Sequence, residues 1–128
     1  MNLLLDTHLL IWAAGARQRL SRQALDLILD PANILHFSIA SVWEAAIKAP
    51  LARDRSFPDA SQLRRGLLYN DYVVVPITAQ HALAAGALPP HHRDPFDRML
   101  VAQAQIEGLV LLTADAKLGA YGAVVRLA

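Results

Sequence analysis

The chain has 128 residues, 55% of them hydrophobic and only 18% charged, which suits one domain (residues 1–128) around one core and excludes a disordered chain. Its net charge of +1 gives no global field to attract a polyanion, so any nucleic-acid site has to be a local patch. There is no cysteine, which rules out disulfides, thiolate metal sites and cysteine nucleophiles and fits a reducing, cytoplasmic setting.

A short, wholly apolar run, Leu3–Leu5, ends at Asp6, and a helical pattern starts near Thr7. An all-apolar strand suggests burial on both faces, as in a parallel sheet. The apolar stretch from Leu9 to Ala16 has no basic residue before it, and Asp6 and His8 interrupt the run. It is therefore not read as a signal peptide, and no window reaches the length of a membrane span. Ser21 looks like the N-cap of a helix through about Leu29, stopped by Asp30-Pro31. Ile34–Phe37 reads as a second strand, and Ser38 or Ser41 caps the next helix. In that helix Ile39, Val42, Trp43, Ala46 and Ile47 recur at helical spacing and form one apolar face.

A polar loop around Arg53–Ser56 follows, and Pro58 is expected to open a helix running to about Tyr69. Val73–Val75 reads as a third strand, and Thr78 caps a helix ending near Ala87. The clearest helix starts at Asp94-Pro95, with Asp94 as cap and Pro95 at the first helical position, and stops at Gly108. Leu109–Leu112 reads as a fourth strand, followed by Asp115 and a short helix, and Val124–Leu127 as a fifth. This alternation predicts a three-layer α/β domain with a mainly parallel sheet.

Ligands of such sheets bind outside the carboxyl ends of the strands, and that rule filters the eleven acids of the chain. Asp6 directly follows the first strand, and Asp115 lies just beyond the fourth. Glu44 sits early in the helix after the second strand. Asp94 and Asp97 begin a helix that leads into the fourth strand, so they start at the same edge. Each also has a plainer reading: Asp6, Asp94 and Asp115 as helix caps, Asp97 as a favourable charge in a first turn, Glu44 as a solvated helix residue. Clustered carboxylates cannot all ionise cheaply without a cation. Hard oxygen ligands with no His or Cys partner at useful spacing suit Mg²⁺ or Mn²⁺, ions that can activate water toward a phosphodiester.

At these residues the chain resembles the PIN-domain nucleases, specifically the VapC-like toxins of bacterial toxin–antitoxin pairs. The segments that carry the resemblance are LLLDTHLLIWA (Leu3–Ala13), SIASVWEAAIK (Ser38–Lys48), LPPHHRDPFDRMLVAQAQ (Leu88–Gln105) and LLTADAKLGAYG (Leu111–Gly122). The resemblance implies a PIN-like, RNase-H-like fold with the first strand central. It implies a Mg²⁺-dependent ribonuclease whose acidic site falls on Asp6, Glu44, Asp97 and Asp115. In that scheme Asp6 and Asp97 are direct metal ligands, Glu44 orders the metal or its waters, and Asp115 acts through water. It further implies a homodimer, a small inhibitory antitoxin as partner, and tRNA, ribosomal RNA or messenger RNA as substrate. A catalytically weak PIN scaffold that only binds protein is the rival expectation, and intact acids at all four positions count against it.

Several neighbouring residues carry weaker signals. Lys48, Arg93, Arg98 and Lys117 lie near the acidic edge in sequence and are candidates for phosphate contact. Thr7 is read either as a hydrogen-bonding support for a metal ligand or as a simple helix start. Trp43 is assigned to the core or to a dimer interface. His91-His92 is read as surface loop, because adjacent histidines point differently and no third ligand is evident. Where the subgroup usually has a Leu-Gly-Lys turn after Lys48, this chain has Pro50-Leu51-Ala52-Arg53, which leaves that turn without its glycine.

Overall fold

The computed structural model describes residues 1–128. Five strands, β1 (Asn2–Leu5), β2 (Ile34–Ser38), β3 (Val73–Val75), β4 (Val110–Thr113) and β5 (Val125–Leu127), form one sheet in the order β3-β2-β1-β4-β5. Every neighbouring pair is parallel. The three-layer α/β expectation holds, with a sheet that is wholly rather than mainly parallel. Six α-helices connect the strands: α1 (Thr7–Gly15), α2 (Arg22–Leu29), α3 (Ile39–Lys48), α4 (Ala60–Tyr69), α5 (Ala79–Ala87) and α6 (Pro95–Glu107).

The central strand shows why two helical layers are needed. Side chains alternate across a strand, so Leu3 and Leu5 enter one core and Leu4 enters the other. The first core adds Leu9 and Leu10 of α1, Ala24 and Ile28 of α2, and Leu63 and Leu67 of α4. The second adds Leu100, Val101 and Ala104 of α6 and Leu118 beyond β4. Each fully buried leucine contributes roughly 1.5–3 kcal/mol of transfer free energy, so polar substitution at any of the three would open a core.

Connections out of β1 and β4 diverge. The chain leaves β1 through α1 and α2 on the first face and reaches β2, whereas it leaves β4 through Leu118 on the second face and reaches β5. The carboxyl ends of β1 and β4 are adjacent, with Leu5 opposite Leu112. They therefore flank a topological switch point, where an open α/β sheet leaves a crevice.

Local chemistry sets the helix boundaries. Asp94 caps α6 and Pro95 opens it, and Gly108 ends it with φ 67. Ser21 and Thr78 cap α2 and α5. Of the two serines considered for α3, Ser38 is the cap, its oxygen accepting from the Ala40 N–H at 2.9 Å. Helix α4 starts at Ala60 and not at Pro58: Asp59 supplies a side-chain acceptor for the Gln62 N–H at 3.0 Å, which proline lacks. β4 is shifted one residue from expectation, because the Leu109 N–H bonds back to Ala104 O at 2.9 Å as part of the α6 terminus. The helix after Asp115 is of the 3-10 type, spans Ala116–Val124, and breaks at Gly122, whose φ of 88 suits glycine. The segment after Lys48 that lacks glycine closes without a left-handed residue, the Leu51 and Ala52 N–H groups donating to Lys48 O at 3.0 and 2.9 Å, and further on Arg55 takes φ 57, with Asp54 Oδ1 accepting from the Ser56 N–H.

Candidate active site

Asp6 lies where β1 becomes α1, and its side chain has two duties. Oδ1 accepts from the Leu9 N–H at 2.9 Å and so caps α1. Oδ2 accepts from the Thr113 hydroxyl at the end of β4. The residue is 5% exposed. Burial pushes its carboxyl above the usual range, against the Thr113 and Leu9 hydrogen bonds, which favour the anion. Capping and membership of the acidic edge are thus not alternatives here.

Thr113 also accepts from the Asp115 N–H at 3.0 Å, so one hydroxyl ties Asp6 to the turn that carries Asp115. Asp115 caps the 3-10 helix through Oδ1, which accepts from the Lys117 N–H at 3.0 Å. Its Oδ2 is 2.9 Å from His92 Nε2. Burial pushes this carboxyl up, but the hydrogen bonds from His92 and Lys117, with the Lys117 charge, outweigh it and hold it below the usual range.

Asp97 occupies the first turn of α6, its N–H donating to Asp94 Oδ1 at 3.3 Å. The same oxygen accepts from Phe96 N–H at 2.8 Å, so Asp94 acts as the helix cap. The Asp97 carboxyl is pushed up to about 7, first by burial, then by the charges of Asp94, Asp6 and Glu44. His92 opposes that shift. Glu44, on the second turn of α3, is buried and its Oε2 lies 2.6 Å from Lys48 Nζ one turn later. Burial lowers the Lys48 pKa, but the Glu44 contact and the charges of Glu44, Asp94 and Asp97 raise it overall. Its ammonium also sits over Phe57 and Phe96, 5.3 and 5.7 Å from the ring centroids. Lys48 therefore offsets part of the negative charge of this edge.

Four elements thus deliver Asp6, Glu44, Asp97 and Asp115 to the switch point: Asp6 and Glu44 both repel Asp97, and the Thr113 hydroxyl ties the Asp115 turn to Asp6. Hard oxygen donors of one charge sign fit a divalent cation. The donor atoms of His92, Asp97 and Asp115 lie within 4.8 Å of one another.

Other expectations are relocated. The Thr7 hydroxyl pairs with Ser41 Oγ at 2.9 Å, tying α1 to α3 and touching no carboxylate. Arg98, a candidate for phosphate, turns its guanidinium onto backbone carbonyls. Nη2 donates to Ala85, Gly86 and Leu88 at 2.8, 3.4 and 3.0 Å. Nη1 donates to Pro89 and His92 at 3.2 and 3.3 Å. A fork of five N–H donors set over carbonyls of the α5 end and the loop after it is satisfied where it is. Trp43 is 58% exposed and packs edge-on against Phe96, with centroids 5.4 Å apart, so it is no core residue of this chain. His92, set aside as surface loop, stands among the carboxylates with only 12% of its side chain exposed.

A family model described as PIN domain matches residues 3–124. The chain belongs to the PIN domain family. Solved structures share this PIN fold over nearly their whole length. A chain of VapBC2 from Rickettsia felis, bound to a DNA fragment from its promoter, matches with a TM-score of 0.68 and 14% identity, covering 100% of this chain and 98% of that one. A chain of a toxin–antitoxin complex from Klebsiella pneumoniae matches at 0.65 and 22% identity, covering 97% and 95%. VapC20 from Mycobacterium tuberculosis, a toxin that cleaves the sarcin–ricin loop, matches at 0.64 and 18% identity, covering 94% and 95%. No curated protein matches the sequence significantly. No helix of this PIN domain is long and apolar enough to cross a membrane.

Proposed function

We propose that the chain is a metal-dependent endoribonuclease that serves as the toxin of a toxin–antitoxin pair. The observation that carries this reading is the convergence at the switch point of Asp6, Glu44, Asp97 and Asp115, where burial and then the charges of Asp94, Asp6 and Glu44 push Asp97 up to about 7. Membership of the PIN family and the shared fold of VapC20 support it. Asp6, Glu44, Asp97 and Asp115 would hold Mg²⁺, with Mn²⁺ as a substitute. The bound ion would supply an activated water and charge stabilisation for phosphodiester hydrolysis. Asp6 and Asp97 hold the ion directly, while Glu44 and Asp115 orient it or its waters. Lys48, partly exposed and facing the same acids, draws the RNA phosphate toward the site.

A homodimer, a small cognate antitoxin and a cytoplasmic location complete the proposal. Exposed Trp43, packed on half-buried Phe96 beside the acids, is a surface suited to such association. The test is cleavage of a structured RNA and a single-stranded RNA by purified protein with Mg²⁺, with a chelator, and by Asp97→Asn. Cleavage that requires the metal and is lost in folded Asp97→Asn is the expected result. Cleavage that persists in the chelator, or in Asp97→Asn at the wild-type rate, overturns the mechanism.

A further inference from the structure

His92 sits in the short loop between α5 and α6, and both edges of its ring are engaged. Nδ1 accepts from the Asp94 backbone N–H at 3.1 Å. Nε2 faces Asp115 Oδ2 at 2.9 Å and Asp97 Oδ2 at 3.4 Å. The loop itself is pinned. The His92 N–H donates to Tyr121 Oη at 3.2 Å, and Tyr121 donates onward to Pro89 O at 2.8 Å. Arg98 holds the carbonyls of Leu88, Pro89 and His92. The ring is therefore placed by the Asp94 backbone N–H on its Nδ1 edge and by the pinned loop that carries it.

A nitrogen among carboxylates at this spacing has two possible uses, as a metal ligand or as a hydrogen-bond donor. The tautomer decides between them. A neutral imidazole carries one N–H, and the nitrogen that accepts a hydrogen bond does not carry it. Because Nδ1 accepts from Asp94 N–H, the proton is on Nε2, directed at Asp115 and Asp97. Ligation through Nε2 would move that proton to Nδ1 and set two N–H groups against each other. We propose that His92 is a positioning residue of this site. Its ring stays in the Nε2–H tautomer, remains outside the coordination of a bound cation, and holds the Asp115 and Asp97 carboxylates in place.

The role suits the residues it touches. Asp115 is the most exposed of the four acids, and its anchors are Lys117 N–H on Oδ1 and His92 on Oδ2. One further lone pair on each oxygen stays available. Asp94 links the parts: its side chain starts the helix that carries Asp97, and its N–H sets the tautomer of the ring that reaches Asp97. Groups that orient ligands in this way are worth about 10- to 100-fold in metal affinity.

This inference rests on the reading of the site as a carboxylate metal centre, and two measurements test it apart from RNA cleavage. Long-range ¹H–¹⁵N NMR of the histidine rings, on labelled wild-type protein with and without Mg²⁺, should show His92 protonated on Nε2 alone in both states. A proton on Nδ1 in either state overturns the proposal. Calorimetric titration with Mn²⁺ should find binding about 10- to 100-fold weaker in His92→Ala. His92→Gln, which keeps an N–H near the Nε2 position, should recover most of it. Thermal unfolding serves as the folding control. Wild-type affinity in His92→Ala, or no recovery in His92→Gln, also overturns the proposal. Wild-type protein that binds Mn²⁺ and cleaves no RNA would defeat the ribonuclease reading alone and leave the role of His92 intact.

Discussion

Asp6 and Thr113 are 107 positions apart in the chain and joined by a hydrogen bond, the Thr113 hydroxyl donating to Asp6 Oδ2 at the paired ends of β1 and β4. Both side chains are buried. The same hydroxyl accepts from Asp115 N–H, so the sheet register and the acidic site share one atom. Thr113→Val keeps the shape and removes both bonds. A buried acceptor left without its partner costs about 1–3 kcal/mol. Chemical denaturation of metal-free protein should show a loss in that range, and Mn²⁺ titration should show weaker binding. Unchanged stability would mean that Asp6 does not depend on this bond.

The pH dependence of stability should carry the mark of Asp97. Its folded pKa of about 7 lies above the ordinary 3.8. Between these values the folded chain binds more protons than the unfolded chain, so stability falls as pH rises. The contribution is fully present below pH 3.8 and lost as pH climbs through about 7. Asp6 is shifted the same way by burial and adds to the trend. A dication requires the charged carboxylates, so Mg²⁺ affinity should rise from about pH 6 to about pH 8 with release of protons. Denaturation at several pH values, with Asp97→Asn as reference, checks the first point. Calorimetry in buffers of different ionisation enthalpy checks the second. A flat profile in both would remove the like-charge account of this site.

Arg98 should matter for the loop rather than for RNA. Its N–H groups bind five carbonyls between Ala85 and His92. Hydrogen bonds to a charged group are worth about 1.5–3 kcal/mol each at most, and they are not additive here. Arg98→Lys keeps the charge and loses the fork, so it should destabilise the fold by about 2 kcal/mol. Hydrogen exchange should quicken across residues 85–93. The salt dependence of RNA binding should stay that of the wild type. An altered salt dependence with unchanged stability would return Arg98 to the role of a phosphate contact.

The parts of this molecule that the sequence discloses are those with local causes. All-apolar Leu3–Leu5 implies a strand buried on both faces, and Asp94-Pro95 with Gly108 marks both ends of α6. The acids could be filtered because the ends of parallel strands share one edge. In sequence His92 reads as surface loop because its neighbour His91 points elsewhere and no further ligand is close, whereas its partners Asp97 and Asp115 come from α6 and the turn after β4. Arg98 escaped because its partners are backbone carbonyls of a loop, which leave no trace in residue identity. Trp43 fits an apolar helical stripe, yet the stripe continues past the core of one chain onto exposed surface. Periodicity records which residues share a face and not what covers that face.

Asp94 and Asp97 lie in one short motif and should respond oppositely to loss of charge. Asp94 Oδ1 accepts from two backbone N–H groups at the start of α6. Removing such a cap costs about 0.5–2 kcal/mol, while Asn retains most of it. Asp94→Ala should therefore destabilise the metal-free protein, and Asp94→Asn should leave it nearly unchanged with RNA cleavage largely retained. Asp97 instead holds a charge that burial and the Asp94, Asp6 and Glu44 carboxylates disfavour. At about pH 8 without metal, Asp97→Asn should stabilise the fold on the order of 1–2 kcal/mol, a gain kept modest by the water that still reaches this side chain. Added Mg²⁺ should then reverse the ranking, because a ligand that binds only the folded state stabilises it more the tighter it binds. The wild type should gain unfolding temperature with Mg²⁺, and Asp97→Asn should gain little, since a neutral amide is a poorer ligand for a hard cation. Thermal unfolding of the three variants and the wild type, at that pH with and without Mg²⁺, reads both effects in one experiment. If Asp97→Asn destabilises the metal-free protein as Asp94→Ala does, Asp97 is part of the helix start and the acidic site loses its central member.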